Sequence, residues 1–325
     1  MTAGAFLPPP GAPAGQGAEG VCVRLEIYLI QLFNALSISS ILLLIALGLA
    51  FAFGLMNVIN MAHGELIMAG AYTAYVLDRA TAGGWLAAGE SGAYFLLALP
   101  AAFAVGALLA WALEALLIRH LYGRPLDTLL ATLGVSVALQ QLARDIFGAP
   151  NVQVTSPWWL RGGVDVFGLY LPLSRLFILV LAAVAVGGVY CYLYRTAAGR
   201  RIRATMQNRT VAATQGVDTR RVDAVTFALG GGLAGLAGCA MVLLGPIGPA
   251  LGTYYIVDAF MVVVLGGLGQ LAGTALAALS IGSAGAMLEL GMGASLAKAA
   301  VFALVILFLQ VRPSGLVALR SRAVD

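Results

Sequence analysis

Residues 57–75 read NVINMAHGELIMAGAYTAY and set Asn57, Asn60, His63 and Glu65 in an apolar neighbourhood. Two amides, an imidazole and a carboxylate can bind a polar solute, pass a proton or bridge two helices. A charged side chain at the centre of a membrane helix costs about 2.5–3.5 kcal/mol, so such groups usually face the protein interior or a wet path. On one ideal helix Asn60, His63 and Ile67 share a face, as do Asn57 and Met61, whereas Glu65 lies about 200° round from His63. The four groups therefore require either a helix broken near Gly64 or different neighbours for different groups. Helix-to-helix hydrogen bonding, a substrate path and a proton relay remain open readings, and Glu65 can also snorkel to a membrane edge.

A second stretch, IVDAFMVVVLGGLGQLAGT, adds Asp258 and Gln270. Its Gly269-Gln270-Leu271 with Gly273 loosely echoes Gly64-Glu65-Leu66 with Gly70, as two glycine-interrupted halves of an internally repeated transporter do. Asn57, Asn60, His63, Glu65, Gln270 and Asp258 are the candidate path residues. Enzymatic chemistry is not indicated. His63-Gly64-Glu65 lacks the HExxH spacing of zinc hydrolases, and no Ser/His pair recurs. The two histidines (His63, His120) and three cysteines (Cys22, Cys191, Cys239) show no metal-binding spacing, and the cysteines read as small core residues. A phosphate loop needs Gly-Lys-Ser/Thr, but the only lysine, Lys298, stands between Ala297 and Ala299. No catalytic residue, metal or cofactor is expected in this chain, and energy must come from a partner or a gradient.

The elements that position these groups are membrane helices. Hydrophobic residues make up 61% of the chain, charged residues 10%, and the mean hydropathy is +0.95. A soluble domain carries about 25% charged residues. No Asp, Glu, Lys or Arg occurs from Ile27 to Gly64, Ser91 to Leu113, Leu176 to Tyr194, Ala224 to Val257 or Ala259 to Leu288. A bilayer core about 30 Å thick needs roughly 20 helical residues. The fold class is therefore all-α, a polytopic membrane protein with eight or nine spans, some broken by glycine. Expected spans are Leu32–Met56, Ile59–Leu77, Ala93–Ile118, Leu126–Phe147, Leu176–Tyr194, Val222–Leu244, Tyr254–Leu265, Leu271–Leu290 and Ala294–Val311. The short 254–265 segment reads as broken, re-entrant or crossing; crossing is favoured because it keeps the basic tail on the same side as the other arginine-rich connections.

Those connections are Arg119 with Arg124, the arginine-rich 195–221 stretch, and the 312–325 tail, all assigned to the cytoplasm, with the N-terminus outside. Residues 1–31, opening on Pro, Gly and Ala, are expected to be disordered or flexible, and 32–311 form the permease domain. Within it, IRATMQNRTVAATQ is helix-compatible and closed by Gly216, either a solvated or headgroup-facing surface or a face presented to a soluble partner. In the loop from Gly148 to Pro172, Trp158 and Trp159 read as interfacial anchors or as a docking surface for an extracytoplasmic partner. No nucleic-acid partner is implied, because the arginines mostly flank spans.

The stretches GLMNVINMAHGELIMAGAY, YGRPLDTLLATLGVSVALQQ, RATMQNRTVAATQGV and VDAFMVVVLGGLGQLAGT together resemble the membrane permeases of bacterial ABC importers of the branched-chain amino-acid type. Within that family, RDIFGAPNVQVTSPWWLRGG and the Gln207-Asn208-Arg209 run lean toward urea permease subunits. The resemblance, covering about Leu32 to Arg320, implies an inner-membrane transporter subunit without its own ATPase site. It implies a second homologous permease, two cytoplasmic ATPases, an extracytoplasmic binding protein and a lipid setting. Arg203, Ala204, Gln207, Asn208, Arg209, Ala212 and Gly216 would form the coupling helix. Urea is the expected substrate, with a branched-chain amino acid or short amide as the alternative. A passive channel is the distant rival: Asn60-Met61-Ala62 is faintly like an aquaglyceroporin Asn-Pro-Ala box, but no second box occurs.

Overall fold

Thr219–Met241 contains Gly230, Gly231, Gly232, Gly235 and Gly238, a composition that would fray in water. In the computed structural model, which describes residues 16–56, 60–82, 92–166, 169–267 and 269–317, it is one continuous helix, α8. In an apolar medium each backbone group must be satisfied within its own segment, which favours helix despite the glycines. The glycines also set the packing. Helices α1 (Gln16–Met56), α2 (His63–Ala82) and α3 (Ala93–Leu116) lie against α8 at backbone distance. A Cβ on Gly230 would sit 2.5 Å from the carbonyl oxygen of Gly48 in α1, and one on Gly231 would sit 2.6 Å from that of Gly106 in α3. Gly70 of α2 meets Gly235 in the same way. Most of the apolar stretch of α1 within Tyr28–Gly54 and most of α8 is buried, so these two helices form the centre of the bundle.

Around them stand α4 (Pro125–Phe147), α5 (Leu173–Arg195), α9 (Leu251–Gly266), α10 (Leu271–Met292) and α11 (Ala294–Val311). Two short helices, α6 (Ala197–Gln207) and α7 (Arg209–Thr214), fill the arginine-rich connection. At the opposite end a hairpin of β1 (Gly163–Val166) and β2 (Leu169–Pro172) pairs antiparallel, Gly163 opposite Pro172. Each of the nine expected spans coincides with a helix. Seven of the described helices are long and apolar enough to cross a membrane; α2 carries Glu65, Asp78 and Arg79, and α9 has 16 residues.

The 16 residues of α9 cover about 24 Å at 1.5 Å each, short of a full bilayer core. It nevertheless runs between the two ends of the bundle. Just before α9, Ile247 exchanges backbone hydrogen bonds with Val152 of the 148–172 loop at 2.8 and 2.9 Å. Beyond Leu265, whose carbonyl accepts from Leu316 N–H at 2.7 Å, the chain turns through Gly267 and Gly269 (φ 94° and 77°). Only glycine adopts that backbone without strain, so the break between α9 and α10 is written in the sequence.

Helix α1 differs from the expected boundary. It begins at Gln16, within the 1–31 segment expected to be disordered or flexible. Between Pro13 and the end of α1 no proline occurs, and Val21, Val23, Leu25 and Ile27 can extend the helix that the following span nucleates.

Candidate functional site

Helix α2 starts inside the bundle. His63 Nε2 faces the Ile45 carbonyl at 3.4 Å, and Ile45 lies roughly 16 Å before the C-terminal end of α1. The backbone ahead of α2 is therefore not helical at a depth where α1 is. Asn60 shapes the entry: its Oδ1 accepts from Ala62 N–H at 3.0 Å, an Asx turn, and its carbonyl accepts from His63 N–H. Met61 N–H donates to Thr132 Oγ1 of α4 at 3.2 Å. The break thus lies just before His63, near Gly64. Gly64 has a different task. A Cβ there would lie 2.7 Å from the Gly252 carbonyl oxygen, so α2 and α9 cross with their first turns in backbone contact.

Glu65, next to that crossing, is 1% exposed. Its Oε1 accepts from Ser136 Oγ and from Gln140 Nε2, both at 2.8 Å, and Gln140 Nε2 also donates to Thr253 Oγ1 at 2.9 Å. Glu65 thus ties α2 to α4, and Gln140 carries the link on to α9. Two buried atoms here have no protein partner among the described residues: Asn60 Nδ2, a donor, and Glu65 Oε2, an acceptor. Orphaned buried polar groups are costly, and each such pair points to a role beyond packing. The cluster can exchange hydrogen bonds with a small polar solute.

The structure gathers Asn60, His63 and Glu65 and separates the other sequence candidates from them. Asn57 lies outside the described residues. Gln270 immediately precedes α10 and lines a cavity of about 430 Å³ with Gly54, Met206 and Gln207, at the α6 end of the bundle. Asp258 pairs with Lys298 at 2.9 Å between α9 and α11. The two echoing glycine stretches thus occupy different levels of the bundle. Ser136, Gln140, Thr132 and Thr253 were not among the expected residues. The signal for three of them was there: Thr128, Thr132, Ser136 and Gln140 recur every fourth residue on one face of α4.

At the other end, α6 opens on Thr196, whose Oγ1 accepts from Gly199 N–H at 3.0 Å. Ile202 and Thr205 turn inward, while Arg203, Ala204, Gln207 and Asn208 are exposed, with Arg203 stacked 4.5 Å over the Tyr194 ring. Asn208 ends α6 and caps α7 through Val211 N–H at 3.0 Å. Arg209 does not face outward alone. Its guanidinium forks onto both carboxylate oxygens of the fully buried Asp223, near the start of α8, and lies 5.1 Å over Tyr122. Hydrogen bonding to Asp223 raises the Arg209 pKa further above its ordinary value against the opposing effect of burial, so the guanidinium stays charged. Ala212 is buried, and Gly216 (φ 80°) makes the turn back to α8. Of the seven coupling candidates only Ala212 is buried; the exposed Arg209 anchors through Asp223, and Gly216 turns the chain.

The paired tryptophans divide as well. Trp159 donates through Nε1 to the Gly92 carbonyl at 3.2 Å and meets Phe95 and Phe177 edge-on, whereas Trp158 is 63% exposed.

Residues 31–312 match the model of the branched-chain amino acid transport system / permease component family. The chain is similar to the high-affinity branched-chain amino acid transport system permease protein LivH of Escherichia coli K12, 30% identical over 301 residues, covering 89% of this chain and 95% of that one. It is also similar to the corresponding permease BraD of Pseudomonas aeruginosa, 29% identical over 297 residues with the same coverage. A probable LivH of Methanocaldococcus jannaschii is 29% identical over 259 residues, 77% of each chain. No solved structure matches the chain significantly. These relatives favour the amino-acid alternative over the urea expectation.

Proposed function

We propose a substrate class and partners for this protein from one premise: the chain belongs to the branched-chain amino acid transport system permease family. It is a multi-pass inner-membrane transporter subunit, not an enzyme. The proposed substrate is a branched-chain α-amino acid. The observation that carries this reading is the end-to-end match to permeases named for that transport, 95% of the Escherichia coli chain being covered. Its proposed partners are a second permease of the same family, two cytoplasmic ATPases and an extracytoplasmic binding protein.

The geometry supports a route for the force. ATPase closure would push on the exposed face of α6 and α7. Arg209 would pass that displacement to Asp223 and hence to α8. Helix α8 touches α2 through Gly235 and Gly70, and α2 with the turn ahead of it carries the Asn60–His63–Glu65 cluster that would open to the solute.

Urea is the second reading, favoured by the 144–163 loop and by Gln207-Asn208-Arg209. The complex reconstituted in vesicles with its ATPases and binding protein separates the two. ATP-dependent accumulation of labelled leucine, unaffected by excess urea, is the expected result. Accumulation of labelled urea without leucine replaces the first reading by the second, and uptake by the chain without ATPases overturns both.

A further inference from the structure

Asp258 and Lys298 are ionisable groups within membrane helices, where charge is expensive and by default functional. Their pair is not sealed: the Lys298 side chain is 44% exposed and that of Asp258 17%. Lys298 Nζ also donates to the Tyr254 carbonyl at 3.1 Å and lies 6.0 Å from the centre of the Phe302 ring. Two cavities meet at this pair, and both residues line both. One, of about 420 Å³, lies toward the 148–172 loop and is bordered by Asn151, Tyr254 and Tyr255. The other, of about 180 Å³, is apolar on most of its wall, with Ile38, Leu42, Met261 and Val301.

We propose that this pair, with the two cavities it divides, is a binding subsite for a zwitterionic α-amino acid. Lys298 takes the carboxylate, Asp258 takes the ammonium, and the aliphatic side chain enters the smaller cavity. A zwitterion supplies the partners that Asp258 and Lys298 lose when they part, so their desolvation is compensated from both sides. An uncharged amide such as urea supplies no such compensation and has nothing to fill the apolar cavity. The chemistry therefore selects an amino acid, with an apolar side chain preferred. This inference rests on the amino-acid reading above and adds where within the chain that substrate is recognised.

Lys298 is the only lysine in the chain, so the peptide that carries it reports on this site alone. The test exposes the purified full complex to trinitrobenzenesulfonate and follows arylation of that peptide by mass spectrometry. Leucine should slow the reaction several-fold, and urea at equal concentration should not. Gly285 lines the smaller cavity, and a Cβ there meets only Val301 Cγ2, at 4.0 Å, so Gly285→Leu fills the space without a backbone clash. In that variant leucine protection should disappear while glycine protection persists. A complex that accumulates leucine without protecting Lys298, or one that urea protects equally, overturns the subsite alone. A complex that accumulates no leucine overturns the amino-acid reading and the subsite with it.

Discussion

Replacing Arg209 by Ala tests how the cytoplasmic helices are fastened to the bundle. The Asp223 side chain is 0% exposed, and the fork from Arg209 is its charge partner. Removing one member of a buried pair costs about 3–5 kcal/mol because the other is left charged and desolvated. The Arg209 side chain is 41% exposed, so water reaches this pair and the lower figure of about 2–3 kcal/mol applies. Loss of the stacking on Tyr122 adds about 0.5–1 kcal/mol. Asp223→Leu alone strands the guanidinium, but its exposed part finds water, so the loss is smaller. The double variant Arg209→Met with Asp223→Leu removes both charges and should lie within about 1 kcal/mol of the parent. With the single Arg209→Met alongside Asp223→Leu, unfolding free energies in mixed detergent micelles give the double-mutant cycle, and the expected coupling is at least about 1.5 kcal/mol. The same Arg209→Ala complex should hydrolyse ATP with several-fold less uptake per turnover. Additive single effects, or a loss below about 0.5 kcal/mol for Arg209→Ala, would refute the clamp.

Three further outcomes follow from the geometry. Gly64→Val or Gly252→Val drives a side chain into the opposing backbone, and folded, monodisperse protein should fall several-fold in detergent, whereas Gly134→Ala, with open space around it, should be neutral or stabilising by up to about 1 kcal/mol. Glu65→Leu leaves Ser136 Oγ without its carboxylate acceptor and Gln140 with one fewer, costing about 1–3 kcal/mol by the same unfolding measurement, while Glu65→Gln keeps an accepting oxygen and should cost under about 1 kcal/mol. Trp159→Ala empties the aromatic nest of Phe95 and Phe177 and should speed protease cleavage of the 148–172 loop by at least tenfold, consistent with about 3–5 kcal/mol for such truncations.

Most of the fold was legible because lipid imposes a simple grammar: long charge-free runs must be helices, and glycine or arginine marks where they stop. The short α9 was legible as a helix, and the arginines favoured a crossing there. The start of α1 at Gln16 was not, because helix continues from a strong span into a stretch whose composition alone argues against order. Asn60, His63 and Glu65 announced themselves as misfits among apolar neighbours. Ser136 and Gln140 did not, since hydroxyls and amides are ordinary in a helix and their meaning lies in a carboxylate 71 and 75 residues earlier. Gln270 and Asp258 looked like members of the same set by type, but their depth and partners were set by α6 and α11, which no local pattern encodes.

The glycine seam of α8 has a mechanical corollary. Where branched side chains interlock, one helix passes another only by lifting knobs out of holes, in discrete jumps. Along α8 the meeting surfaces are mostly carbonyls and Cα atoms, for example Gly230 on Gly48 and Gly231 on Gly106. Such smooth rails offer few notches, so small pivots and glides cost little rotamer rearrangement. The residue type that lets these backbones touch also makes the central shaft a bearing.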